Sequence, residues 1–389
     1  MSGEESLTFV GFKYLVEKYP LLTHLDLPNC QLDDDLIHIM ATNLHNLVHL
    51  NFGTDRNRGT RTARLSRFTG QTLRKIGPKI KTLMIGESMY WDEQLIQSMT
   101  CSPAKHVTTL KIHLIKLKSL QTICENMNQL KQFYCSFNGG DINTQQNNIG
   151  CVKHLAKLHN LEVLELIDDG RHHCGINGCC SVYTLSSLTD AVKGLPKLKV
   201  LKLLDFDNWH SNKPNIDSFL SSLKMFCPNL IEFGISAGLF QLKTESYGLI
   251  SMLNVIRLTV QGDTSLVELP HNSKQDFSCN DVVIDLLDSN TNLTWLKVEN
   301  CPLVDEEAIV SLLNIASKRQ RQRFQLIFNN IRVNSLQQMS GEIPENVNLV
   351  ITRDEEENFD VNYTDDSSFD STDSESIHLE SDDDIQLIL

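Results

Sequence analysis

Leu293, Leu296, Val298, Cys301 and Leu303 stand in the frame L-x-x-L-x-L-x-x-C-x-L, and Leu22, Leu25, Leu27, Cys30 and Leu32 repeat it near the other end of the chain. Two matches of this length, so far apart, mark an internal repeat. The alternation at Leu296 and Val298 predicts a short strand with one buried face. Asp35 and Asp305 follow in positions to cap helices, the second with apolar residues beginning at Ala308 and Ile309. A strand, a turn and a helix make one coil, and such a coil buries its apolar face only against copies of itself.

The marker leucine of each strand recurs at Leu25, Leu50, Leu83, Leu110, Phe133, Leu164, Leu201, Phe233, Leu258 and Leu296, with a poorer one near Leu326. Intervals of 23 to 38 residues fall within what helix-bearing repeats tolerate when loops on one rim lengthen. Asparagine or proline before the next leucine, as in HNL, LPKL, CPNL and TNL, stops each helix and returns the chain to a strand. The predicted fold is therefore an α/β leucine-rich-repeat solenoid, a horseshoe with a parallel β-sheet on the concave face and helices on the convex face. Residues 1–20 read as a partial first repeat or N-terminal cap, with a helix through Phe12, Leu15, Val16 and Tyr19. The solenoid of about eleven irregular repeats takes 21–335, a C-terminal cap 336–353, and an acidic tail 354–389.

The formal charge of -14 sits in that tail: 14 of the 49 acidic residues follow position 353, with no Lys or Arg, which leaves 35 acids against 35 bases elsewhere. A neutral body gives no electrostatic case for nucleic acid, and like charges at this density predict a disordered segment. Eleven scattered cysteines, an odd number, behind the opening MSGEES argue for reduced thiols in the cytoplasm or nucleus. No apolar run approaches the roughly 18 to 20 residues that cross a bilayer.

The sequence carries no phosphate-binding GxxxxGK[ST], HExxH or GxSxG, so neither an enzyme nor a cofactor is expected. His172, His173, Cys174, Cys179 and Cys180 are chemically competent for zinc, but without a C-x2-C spacing they are weak ligand candidates. Arg56, Arg58, Arg61, Arg64 and Arg67 form a candidate anion- or phosphate-binding loop, and Lys318, Arg319, Arg321 and Arg323 a second basic run. Solvated surface is the simpler reading of both runs, since no aromatic residues are interleaved.

Alternation also identifies the outward side chains. Most are polar, such as His24, Asp26, His49, Asn51, Thr109, Lys111, Arg257 and Thr259, while three consecutive strands present Tyr134, then Val163 and Ile167, then Val200 and Leu204. With Phe206 and Trp209 on the following loop, these form the candidate partner-binding patch of a monomeric protein. Long loops folded over the strands would bury the same residues.

The frames with Pro or Asn before Leu, with Cys30, Cys301 and the string CPLVD, resemble the cysteine-containing leucine-rich repeats of F-box proteins. That resemblance implies the substrate-recognition subunit of an SCF-type cullin-RING ubiquitin ligase. Binding to Skp1 and cullin is expected only where an F-box precedes these repeats. Other readings are a scaffold whose acidic tail binds basic nuclear proteins and, from repeats followed by an acidic tail, a likeness to the Ran GTPase-activating protein. In the tail, Ser367, Thr372 and Ser381 precede acids in a pattern that resembles sites of casein kinase 2. Ile385, Leu387 and Ile388 behind Asp382, Asp383 and Asp384 resemble a SUMO-interacting motif. Deleting 354–389 is expected to leave the melting temperature nearly unchanged; a large loss would show that the tail docks on the body.

Overall fold

The computed structural model describes residues 9–27, 34–52, 75–76, 78–85, 96–97, 100, 106–115, 117–137, 151–168, 185–205, 215–236, 244–261, 279–299, 304, 306–319, 323–329, 343–352 and 387–388. Twelve short strands stack in chain order into one parallel sheet. They are β1 (His24–Asp26), β2 (His49–Phe52), β3 (Thr82–Ile85), β4 (Thr109–Ile115), β5 (Gln132–Phe137) and β6 (Val163–Asp168), then β7 (Val200–Asp205), β8 (Glu232–Ser236), β9 (Arg257–Gln261), β10 (Trp295–Glu299), β11 (Phe324–Asn329) and β12 (Val347–Thr352). A thirteenth, β13 (Leu387–Ile388), pairs antiparallel with β12.

Helices return the chain between strands: α1 (Phe9–Lys18), α2 (Asp34–Asn43), α3 (Leu117–Asn126), a 3-10 turn (Cys151–Lys157), α4 (Leu185–Lys193), α5 (Asp217–Phe226), α6 (Thr244–Ser251), α7 (Cys279–Ser289) and α8 (Glu306–Ser317). The result is the expected leucine-rich-repeat solenoid, with the sheet on its concave face and the helices behind it. Every predicted marker is in the core, from Leu25 at 6 % exposure to Leu326 at 0 %. Phe133, Phe137, Phe233, Phe324 and Phe328 are among the largest fully buried side chains of this core. α1 packs on α2 and buries Phe12 and Val16, while Tyr19 stays exposed.

Two devices align the coils. At the entrances of β2 to β10, two successive backbone N–H groups donate to one carbonyl of the preceding coil, as Lys131 and Gln132 to Thr108, Glu162 and Val163 to Lys131, Lys199 and Val200 to Glu162, Ile231 and Glu232 to Lys199. The turn asparagines then bridge coils through side chains. Lys197 Nζ donates to Asn160 Oδ1 at 2.8 Å, and Asn229 Nδ2 to the Pro196 carbonyl at 3.2 Å. Asn254 takes a positive φ of 55°, which asparagine tolerates better than most residues.

The sheet departs from the expected boundaries at its C-terminal end. Residues 336–353, read as a cap, contain β12, a full parallel strand in register with β11, so that Leu349 is a twelfth marker opposite Leu326. Three places before the marker, where most repeats carry a leucine, it has Asn346, while Val347, two places before the marker, is buried. Within the tail read as disordered, Leu387–Ile388 are paired, because the outer edge of β12 offers backbone groups that an extended apolar segment can satisfy.

Gly194, just after α4, lies where a Cβ would stand 2.3 Å from the Ala156 carbonyl oxygen. Gly194→Val is therefore expected to cost about 2 to 3 kcal/mol in a denaturant melt through overpacking. Adding Ala156→Gly should not rescue it, since the obstruction is backbone; full recovery in the double variant would refute this account.

Candidate partner-binding face

Three rows of outward side chains cross the concave sheet. The first runs Gln132, Val163, Val200, Glu232, Arg257, Trp295, and the second Lys111, Tyr134, Glu165, Lys202, Gly234, Thr259. In the third, Ser136, Ile167 and Leu204 are neighbours. The structure thus brings Tyr134, Val163, Ile167, Val200 and Leu204 together on three adjacent strands. Tyr134, Val163, Val200 and Leu204 are half-buried, whereas Ile167 is only 7 % exposed and has little surface to offer. Phe206 and Trp209 lie outside the described residues. So do Arg56, Arg58, Arg61, Arg64 and Arg67, the cluster His172, His173, Cys174, Cys179 and Cys180, and Ile385.

A charged group borders this apolar patch. Lys202 Nζ pairs with Glu232 Oε1 at 2.8 Å, and Arg257 approaches the other oxygen of Glu232 at 3.7 Å. Glu232 is only 13 % exposed at its side chain, so this pair is largely withdrawn from water. Gly234 makes room for it: a Cβ there would meet Lys202 Cγ at 2.9 Å, so the lysine stem lies across the glycine to reach the carboxylate. Burial opposes the charge on Lys202, but Glu232, Glu165 and Glu299 outweigh it and hold its pKa above the ordinary lysine value. Burial and the neighbouring Glu165 push the Tyr134 phenol up, keeping it a neutral hydrogen-bonding group. Farther along, Thr352 donates to Asn329 at 2.6 Å and Asn329 to Glu299 at 3.1 Å, while Lys297 pairs with Glu299.

Glu232 and Gly234 are residues of this candidate face that sequence reasoning passed over. Their signal was present, since Glu232 precedes the marker Phe233 and Gly234 follows it.

Of the second basic run, Arg319 has a structural task. Its guanidinium donates to the carbonyls of Leu287, Asn290 and Leu293, covering the C-terminal end of α7. It is not a free fork for phosphate. Among the described cysteines, burial pushes Cys227 up to about 12 and raises Cys124, Cys135 and Cys151, so these thiols are poor nucleophiles. No helix among the described residues is long and apolar enough to cross a membrane.

No protein-family model matches the chain, and no curated protein matches it. Solved structures do resemble it. A chain of the yeast Rad7 and Elc1 complex superposes with a TM-score of 0.52 at 17 % identity, over 85 % of this chain and 75 % of that one. The leucine-rich repeat-containing protein LegL7 from Legionella pneumophila gives 0.41 at 14 % identity, over 90 % and 89 %. At such identities the first likeness shows the shared fold.

The Lys202–Glu232 pair yields a pH prediction. With its pKa raised in the folded state, Lys202 contributes stability that is present below pH 10.5 and lost as pH rises through the elevated value. Lys202→Met should cost about 1 to 2 kcal/mol at neutral pH, between exposed and fully buried pairs. In urea melts the gap between variant and wild type should narrow above that pH; a gap of the same size at pH 7 and 11 would exclude the pair as its source.

Proposed function

We propose that this protein is an interaction subunit that holds a protein partner on the concave face across β5, β6 and β7. The observation that carries this reading is the side-by-side placement of half-exposed Tyr134, Val163, Val200 and Leu204, with the Lys202–Glu232–Arg257 group beside them. Strands about 4.8 Å apart make this patch wide enough for a helix or an extended peptide. Each large apolar side chain covered is worth roughly 1.5 to 3 kcal/mol, so three or four anchor a micromolar complex after association costs.

Within that reading, the role is substrate recognition for an SCF-type cullin-RING ubiquitin ligase, or a derivative of such a subunit without an F-box. The frames around Cys30 and Cys301 support it, as does a shared fold with a chain solved in the Rad7 and Elc1 complex. A second reading, a scaffold without ligase, draws on the 14 tail acids as a surface for basic proteins.

Val163→Asp with Leu204→Asp, on a chain shown by circular dichroism to be folded, should abolish partner capture. Deleting 354–389 should leave that capture intact. Undiminished capture by the double variant would remove the partner from these strands, and loss on tail deletion would favour the scaffold reading. Co-purification of Skp1 and cullin with the full-length chain tests the ligase role separately.

A further inference from the structure

The two ends of the sheet are finished differently. β1 is three residues long, and its outward residues His24 and Asp26 are exposed and polar, which blunts that edge. β12 is six residues long, with Val347, Leu349 and Ile351 buried in the core layer. An edge of that length and apolarity is a template for another strand. The structure shows it in use: Leu387 stands opposite Ile351 and Ile388 opposite Val350, antiparallel.

The resident strand covers only part of the site. Its register takes Val350 and Ile351, toward the C-terminal end of β12. Among the described residues, Val347, Asn348 and Leu349 have no strand partner on that side. Val347 and Asn348 also border an open recess of about 530 Å³ that Trp295, Arg257, Arg323 and Gln325 help to line. An antiparallel strand that also paired with Val347, Asn348 and Leu349 would run its C-terminal end toward this recess, where Trp295, Arg257, Arg323 and Glu345 stand.

We propose that the outer edge of β12 is an acceptor site for an extended apolar peptide, that Leu387–Ile388 is its resident occupant, and that a partner strand binds by displacing it. The chemistry of the partner is that of the apolar end of the tail itself, Ile385, Leu387 and Ile388. Pairing over two residues is weak alone. Because the strand belongs to the same chain, it occupies the site in cis yet yields to a strand that pairs over more of β12. The same arrangement restricts the tail, because a backbone edge paired with β12 is withdrawn from any other sheet.

The test uses the full-length chain and a labelled peptide of residues 380–389, ESDDDIQLIL. Leu387→Pro with Ile388→Pro removes the N–H groups of the resident strand. This variant, folded by circular dichroism, should bind the peptide at least tenfold more tightly than wild type, and a peptide carrying the same two prolines should not bind. Absence of binding to the variant, or equal binding to both proteins, overturns the proposal. Hydrogen exchange on wild type tests the resident pairing without any variant: amides of 387–388 should exchange more slowly than those of 356–384, and equal rates would overturn it.

Discussion

The coils from β1 to β10 depend on one repeated backbone interaction, a single carbonyl accepting two successive N–H groups of the next coil. Thr23, Val48, Lys81, Thr108, Lys131, Glu162, Lys199, Ile231 and Ile256 each serve in this way. Because the contact is made at the strand entrance, it fixes where each strand starts, and the period-2 alternation then decides which side chains face inward. A slip of one residue would expose Leu164 and Leu201 and bury Glu165 and Lys202, which is costly for apolar and charged groups alike. Register is therefore held twice, by the entrance carbonyls and by the core.

This arrangement explains how the chain tolerates irregular repeats. Spacings from 23 to 38 residues leave the strand entrance untouched, because extra residues go into the segments between strand and helix. It also explains the lone register shift between β4 and β5, after Ile112, which lies downstream of the Thr108 carbonyl and leaves the entrance unaffected. Gly194 illustrates the complementary limit on the convex side, where α4 comes so close to the 3-10 turn that a side chain would meet backbone.

The sheet was legible in the sequence because it rests on a pattern of single residues. A leucine or phenylalanine at each marker with polar neighbours is a local signal, and each marker from Leu25 to Leu326 lies in the core. β12 was missed although V-N-L-V-I-T alternates as well as any other strand, since polar Asn346 stands where most repeats carry an apolar residue. The apolar patch followed from the same alternation, since Val163 and Val200 sit at outward positions. What alternation could not supply is exposure: Ile167 is outward by register yet nearly inaccessible. Nor could it supply partnership across strands. That Lys202 reaches Glu232 over Gly234 depends on residues about thirty positions apart meeting in space.

The pairing of Glu232 with both Lys202 and Arg257 bears on the partner-binding proposed for the concave face. An isolated carboxylate at 13 % exposure would make a partner pay for its remaining desolvation, but this one already holds two cations. A partner covering Val163 and Val200 can therefore close over the pair without stranding a charge. Arg257, 60 % exposed at its side chain, keeps much of its guanidinium available at the edge of the patch. On the proposed reading, apolar contacts across β5 to β7 would supply the affinity, while Arg257 and Lys202 would set the direction in which an extended or helical partner lies, since charges at a rim govern orientation and encounter more than binding strength.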